Sequence, residues 1–313
     1  MIWRKLSVIE IIATIESTEQ AKQLLDLGID GLYFGEERYG LRLPRYFSRE
    51  EMHDLVTLIH EYGKKARVSV NAIMHPEDME GMPEYLAFLE EIGVDEIIVG
   101  DAGVIFVLQR DGYHLPYIYD TGTTVTSSRQ INFWAKRGAS GAVLAREIPF
   151  KELELLSRDA TIPTEFLVYG ATCIHQSKRP LLENYFSFIK TDQPVDKEQN
   201  LFITEPKDED SHYSIFEDRQ GTHIFQTNDI NMMLELAEVH SVGLNTWKLD
   251  GIYTPGDDFV KIAEQFIIAK NKIMNNEWSV VDAEKANEVI HALHPKNRGL
   301  DQGFYYLNPD EIR

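Results

Sequence analysis

The sequence predicts an α/β protein built as a TIM-type (β/α)8 barrel, regular or distorted. Three observations predict it: short apolar runs recur along most of the chain, glycines separate helical stretches from those runs, and no glycine-rich phosphate loop follows the first run. The last observation disfavours an open doubly wound sheet.

Taken in order, the runs are Val8 to Ile15, Gly31 to Phe34, Val68 to Val70, Ile97 to Val99, Tyr117 to Tyr119, Ala142 to Leu144, Phe166 to Val168 and Thr246 to Leu249. Continuous apolar runs of this length suit parallel strands buried on both faces. Gly28, Gly63, Gly93, Gly112, Gly138 and Gly243 stand where helices end, as expected of left-handed caps. Met52, Leu55, Val56 and Ile59 mark one helix, opened by a capping box of Ser48 and Glu51. Ile230, Met233, Leu234 and Ala237 mark another, and Phe259, Ile262, Ala263, Phe266 and Ile267 a third.

The regular alternation fails between about residues 188 and 222, where nine acidic residues from Asp192 to Asp218 face only Lys197, Lys207 and Arg219. A stretch this long and acidic reads as an insertion or lid after strand 7. The expected domains are a barrel over residues 1–275, including that insertion, and a C-terminal appendage over 276–313. The appendage carries an amphipathic segment, Ala283 to Leu293, and an aromatic end, Phe304-Tyr305-Tyr306.

The 313 residues carry 31 Lys and Arg against 51 Asp and Glu, a formal charge of −20. Such a surface repels phosphate backbones and anionic lipid, so unaided nucleic-acid or membrane binding is disfavoured. The best basic groups are Arg42, Arg45 and Arg49, and Lys178 with Arg179. Met1-Ile2-Trp3-Arg4-Lys5 does not lead into a signal-peptide core, and no apolar run reaches the roughly 20 residues of a membrane span, so a cytoplasmic protein is expected.

In a barrel of this type the polar residues at the carboxyl ends of the strands converge on one mouth. These are Glu36, Arg38, Asn71, Asp101, Thr121, Arg146, Glu147, Lys248 and Asp250. Mixed cations and carboxylates suit a small anionic ligand held among acid–base groups. The alternative for any one of them is an ion pair that closes the barrel end. No HExxH or GxSxG motif occurs, and Gly138-Ala139-Ser140-Gly141-Ala142 has the wrong spacing for a nucleophile elbow. Cys173 with nearby His175 is a weak thiol pair, and His53 with His60 lacks a third metal ligand.

Val143-Leu144-Ala145-Arg146-Glu147 and the stretch Glu165 to Phe186, EFLVYGATCIHQSKRPLLENYF, resemble the peptidase U32 family, also called collagenase-like proteases. The family pattern there is roughly E-x-F-x-H-G-x-x-C-x-x-x-S-G-x-C-x-x-S-N-Y. Gly35-Glu36 through Arg42, Asn71, Gly221-Thr222-His223-Ile224 with Asn228-Asp229, and Lys248-Leu249-Asp250-Gly251 add matches over nearly the whole chain. The sequence is most similar to short Gram-positive-type paralogues of proteins that hydroxylate the wobble uridine of tRNA.

The resemblance implies a barrel, prephenate-dependent 5-hydroxylation, and an iron–sulfur cluster on four cysteines. Cys173 matches the first of those cysteines, but Pro180 stands at the second and no other cysteine exists. Tyr169 replaces the histidine before the glycine, and Lys248-Leu249-Asp250-Gly251-Ile252 replaces K-I-E-G-R. A cluster needs about four thiolates, so none is expected in this chain, and one would need a partner chain.

The expected function is therefore a cluster-free subunit in tRNA hydroxylation, paired with a four-cysteine U32 paralogue through which tRNA is met. A peptidase and a non-catalytic scaffold are the alternatives. The expected catalytic residues are Glu147, Arg146, Glu36, Asp250 and Lys248. Ligand binding falls to Arg38, Asn71, Asp101, Thr121, Glu165 and Cys173, and no metal site is expected.

Overall fold

The computed structural model describes residues 8–122 and 124–311, with the side chains of 208–210 and 311 left aside. The opening Met1 to Lys5 lies outside the described residues, as does Arg313. Eight strands form the barrel: β1 (Glu10–Thr14), β2 (Gly31–Phe34), β3 (Lys65–Val70), β4 (Glu96–Val99), β5 (Tyr117–Tyr119), β6 (Ala139–Val143), β7 (Thr164–Gly170) and, after the inserted strands, β13 (Thr246–Leu249). Each pairs in parallel with its neighbour, and β13 closes the ring by pairing with both β1 and β7. These are the eight runs that the sequence predicts.

Helices between the strands bury their apolar stripes against the outside of the ring. Met52, Leu55, Val56 and Ile59 line the buried face of the helix Arg49–Glu61, whose capping box of Ser48 and Glu51 is formed. Phe259, Ile262, Ala263 and Phe266 do the same for the helix Gly256–Met274. All six predicted cap glycines have positive φ. The spacing at 230–237 misleads, because Ile230 lies in a strand, β12 (Asn228–Asn231), and the helix there is only Leu236–Ser241. Antiparallel pairing of β12 with the end of β7 overrides the local period.

The interruption after β7 is not irregular. β8 (Cys173–Ser177), β9 (Phe202–Glu205), β10 (Asp208–Asp218) and β11 (Gly221–Phe225) form an antiparallel sheet in the order β8-β11-β10-β9. Its apolar side chains Phe216 and Phe225 pack with Ala171 and Ile252 at the barrel rim. The buried Glu217 carboxylate accepts from the backbone N–H of Leu182 (2.6 Å) and Glu183 (3.0 Å), capping the helix Leu181–Phe188, which has no side-chain cap of its own. Part of the acidic excess is thus structural.

Gly170 ends β7 at φ 126°, and a Cβ there would overlap the Asp250 carbonyl, so only glycine lets β7 and the end of β13 approach. At the C-terminus, the helix Val280–Leu293 packs on Gly256–Met274, and β14 (Gly299–Asp301) adds to β12. Buried Arg298 donates to Asp229 at 2.5 Å and lies over the Tyr253 ring. Tyr305 is buried with its hydroxyl on Glu238 (2.8 Å). Among the described residues, no helix is long and apolar enough to cross a membrane.

Candidate functional site

The carboxyl ends of the strands open on a cleft of about 450 Å³. It takes Asn71 from the end of β3, Asp101 and Thr121 from beyond β4 and β5, Arg146 and Glu147 from beyond β6, Lys248 from β13, and Cys173 from β8. Seven of the expected site residues therefore meet there, with Asp250 beside them through Arg146, whose Nη2 is 4.0 Å from Asp250 Oδ2.

Several of these side chains are held in place by bonds that fix their direction. Asn71 accepts from Leu41 N (3.1 Å) and donates to Asp120 Oδ2 (3.2 Å) and to the Tyr33 hydroxyl (3.3 Å). Asp101 caps the helix Ala102–Asp111 through Gly103 N. Thr121 is bound to Thr124. Arg146 donates to the Ala171 carbonyl at 2.5 Å. Lys248 is buried, with its ammonium 4.0 Å from the Tyr33 ring centroid and, among the described residues, no carboxylate within ion-pair distance. Glu147 is exposed and lines the cleft.

The structure does not bring Glu36, Arg38 or Glu165 to this cleft. Glu36 accepts from Arg49 Nε at 3.2 Å outside the mouth, and Arg38 is spent on the Glu77 carbonyl (2.6 Å) and Asp78 (3.5 Å). Both take the structural role that strand-end ion pairs can have. Glu165 is the second residue of β7 and lies toward the amino-terminal end of the ring, in a buried ion pair with Arg67 at 3.0 Å. Arg67 also meets Glu96 (2.7 Å) and Glu10 (3.6 Å). Burial raises the Glu165 carboxyl above its ordinary range, against the opposing pull of Lys248 and Arg67.

Sequence reasoning missed the groups around Cys173. Its thiol donates to the His175 carbonyl oxygen at 3.2 Å, while the His175 side chain is exposed. The imidazole beside it belongs to His223, on the paired strand β11 and fully buried. His223 Nε2 donates to Asp218 Oδ1 at 2.8 Å, and Asp218 is held by the Tyr46 hydroxyl (2.9 Å) and Gln220 N (2.7 Å). Burial pushes the thiol up, but His223, Arg42 and Arg146 outweigh it and leave it below the usual thiol value. Burial likewise opposes charge on His223, and Asp218 more than restores it, so the ring titrates above its ordinary value. The match at Gly221-Thr222-His223-Ile224 held the only signal for this residue.

The donor set does not fit an iron–sulfur cluster within one chain. Cys173 stands alone, Pro180 is an exposed helix-capping position, and among the described residues no group of three or more His, Cys, Asp or Glu could hold a metal ion.

A family model described as Peptidase family U32 matches residues 16–313. The chain is 34% identical over 302 residues to tRNA hydroxylation protein P2 of Bacillus subtilis (strain 168), an overlap of 95% of this chain and 97% of that one. Identity to tRNA hydroxylation protein P1 of the same organism is 25%, covering 86% of this chain and 66% of the relative. For tRNA hydroxylation protein P of Escherichia coli (strain K12) it is 22%, covering 77% and 63%. The chain thus spans nearly all of the first relative and just under two thirds of the other two. Among solved structures, a U32 peptidase shares the fold with a TM-score of 0.50 at 16% identity, over 78% of this chain and 93% of that one.

Proposed function

This chain belongs to peptidase family U32, and from that premise we propose that it is a cluster-free subunit of a prephenate-dependent system that hydroxylates carbon 5 of the wobble uridine in tRNA. The observation that carries the reading is the 34% identity, over 95% of the chain, to a protein named for tRNA hydroxylation. The single cysteine adds the division of labour, since the redox centre then belongs to a four-cysteine paralogue. The chain itself carries no cofactor in this reading and works in the cytoplasm.

Two surface features support a partner. Tyr185 and Phe188 on the helix Leu181–Phe188, Ile189 just after it, and Ile174 and Phe202 are exposed apolar side chains; Phe188 is 85% exposed. Of the five basic residues best suited to RNA, two are paired with acids, Arg45 with Glu51 (2.5 Å) and Arg49 with Glu36 and Glu84 (2.6 Å), and the chain as a whole carries a formal charge of −20. RNA is therefore met through the partner's charge rather than through this chain's own. The cleft at the mouth, with Arg146 and Lys248, suits a small anion such as a dicarboxylate.

The test is reconstitution. The purified chain and the four-cysteine paralogue should co-elute in size-exclusion chromatography, bind tRNA together more tightly than either alone, and lose the complex with Phe188→Glu. Separate elution and unaltered tRNA binding would overturn the subunit reading.

A further inference from the structure

We propose that Cys173, His223 and Asp218 form a nucleophilic thiol site that takes a small carboxylate bearing an electrophilic carbon, held by Arg42 and Arg146. The site does not depend on the RNA reading, because it is built entirely from this chain.

Three features carry it. The first is the array itself: Asp218 orients His223 through Nε2, which leaves Nδ1 of the neutral ring free to take the thiol proton. That Nδ1 is buried on a side chain with no exposure and has, among the described residues, no partner other than the Cys173 thiol. The second is a set of further orphans around the same thiol, since Thr172 Oγ1 and Gln176 Nε2 line the cleft, buried and unpartnered. Buried polar atoms are rarely left so, and these two beside the thiol mark a place where a polar ligand completes them.

The third feature is charge. Arg42 lines the cleft and donates to the neutral Gln176 side chain at 2.6 Å, with no carboxylate within ion-pair distance among the described residues. Arg146 has, among the carboxylates of the described residues, only Asp250 within ion-pair distance, at 4.0 Å. Both guanidiniums act on the Cys173 thiol, as does His223, while Tyr253 lies on its apolar side. The cleft's acids, Asp101, Asp120 and Glu147, come from the β4, β5 and β6 ends. Arg42, His223 and Arg146 are thus the charged groups that act on the thiol, with Glu147 and Asp250 beside Arg146. A carboxylate docked on Arg42 and Arg146 would set its neighbouring carbon against the sulfur.

The chemistry balances without an oxidant. The Cys173 sulfur pair forms a bond to the β-carbon of an α,β-unsaturated carboxylate, the π pair moves to the α-carbon, and the His223 imidazolium returns its proton there. With a haloacetate the sulfur–carbon bond forms as the carbon–iodine bond breaks and iodide leaves.

The single cysteine makes the test unambiguous, because intact mass reads modification of one site. The full-length protein is reacted with iodoacetamide across pH and with iodoacetate, beside free cysteine. The expected results are a reaction midpoint below the ordinary thiol value of about 8.5 and an iodoacetate-to-iodoacetamide rate ratio at least about tenfold that of free cysteine. His223→Gln should raise the midpoint, and Arg42→Gln should erase the anion preference alone. Acrylate should add its whole mass at Cys173. An ordinary midpoint, or a rate ratio equal to that of free cysteine in the unaltered protein, would overturn the proposal whether or not the variants fold.

Discussion

His223 Nε2 meets Asp218 Oδ1 across 2.8 Å, and this bond joins the two strands of the β10–β11 hairpin, with the Cys173 thiol beside His223. The relationship is structural as well as chemical. Asp218 titrates below its ordinary range, because His223, Gln220 N and the Tyr46 hydroxyl outweigh the effect of burial, and His223 titrates above its own.

The two shifts define a pH window. A lowered carboxylate contributes stability that is present above its unfolded value and lost as pH falls. A raised histidine contributes stability that is present below about 6.5 and lost as pH rises through its folded value. Both operate together between about pH 4 and 6.5. Asp218→Asn should therefore cost roughly 1–3 kcal/mol, most in that window, read by urea unfolding at several pH values. A deficit independent of pH would show that the pair is not ionised.

His294 tests how the C-terminal segment is held. Its ring is buried, bonded to the Tyr169 hydroxyl at 2.8 Å, and lowered to about 4, chiefly by burial and then by Arg298. A depressed histidine contributes stability that is present above its unfolded value and lost as pH falls toward the folded one. Between about pH 6.5 and 4 the loss amounts to about 3 kcal/mol. His294→Gln should flatten thermal stability over that range. An unchanged slope would place the acid sensitivity elsewhere.

Arg67 is the cation that holds the amino-terminal end of the ring, with Glu165, Glu96 and Glu10 around it. Arg67→Ala leaves buried Glu165 without the cation 3.0 Å from it, and should cost about 3–5 kcal/mol in chemical denaturation. The double variant Arg67→Met with Glu165→Leu should recover much of that loss. If the single change were near neutral, water would have to reach the buried carboxylate.

Glu147 separates function from folding. It is exposed at the cleft with no bonded partner among the described hydrogen bonds and ion pairs, so Glu147→Ala should alter stability by no more than about 0.5 kcal/mol. Complementation of a deletion strain by that variant should nevertheless fail. Full complementation would remove Glu147 from the catalytic residues and leave it a rim carboxylate.

The barrel was legible because parallel strands buried on both faces leave unbroken apolar runs, and its mouth because strand ends carry the site in this fold. Depth along a strand was not legible. Glu165 is expected to bind ligand as the first residue of the family-like stretch, yet its place at the second position of β7 puts it at the other end of the ring. The inserted sheet was hidden because β9 and β10 set only a few apolar residues, among them Phe202, Ile215 and Phe216, within an acidic stretch, and one of those acids, Glu217, caps a helix. The partner of Cys173 was hidden for another reason. His223 reaches it only through pairing of β8 with β11, which no local spacing encodes.

The measurement closest to the central claim is mass spectrometry of nucleosides from bulk tRNA. It compares a strain lacking this gene, with oxygen-dependent routes to the same modification also removed, against the same strain carrying the gene. Participation in wobble-uridine hydroxylation predicts that 5-hydroxyuridine and its derivatives fall in the deletion and return on complementation. Equal levels in both strains would contradict the account.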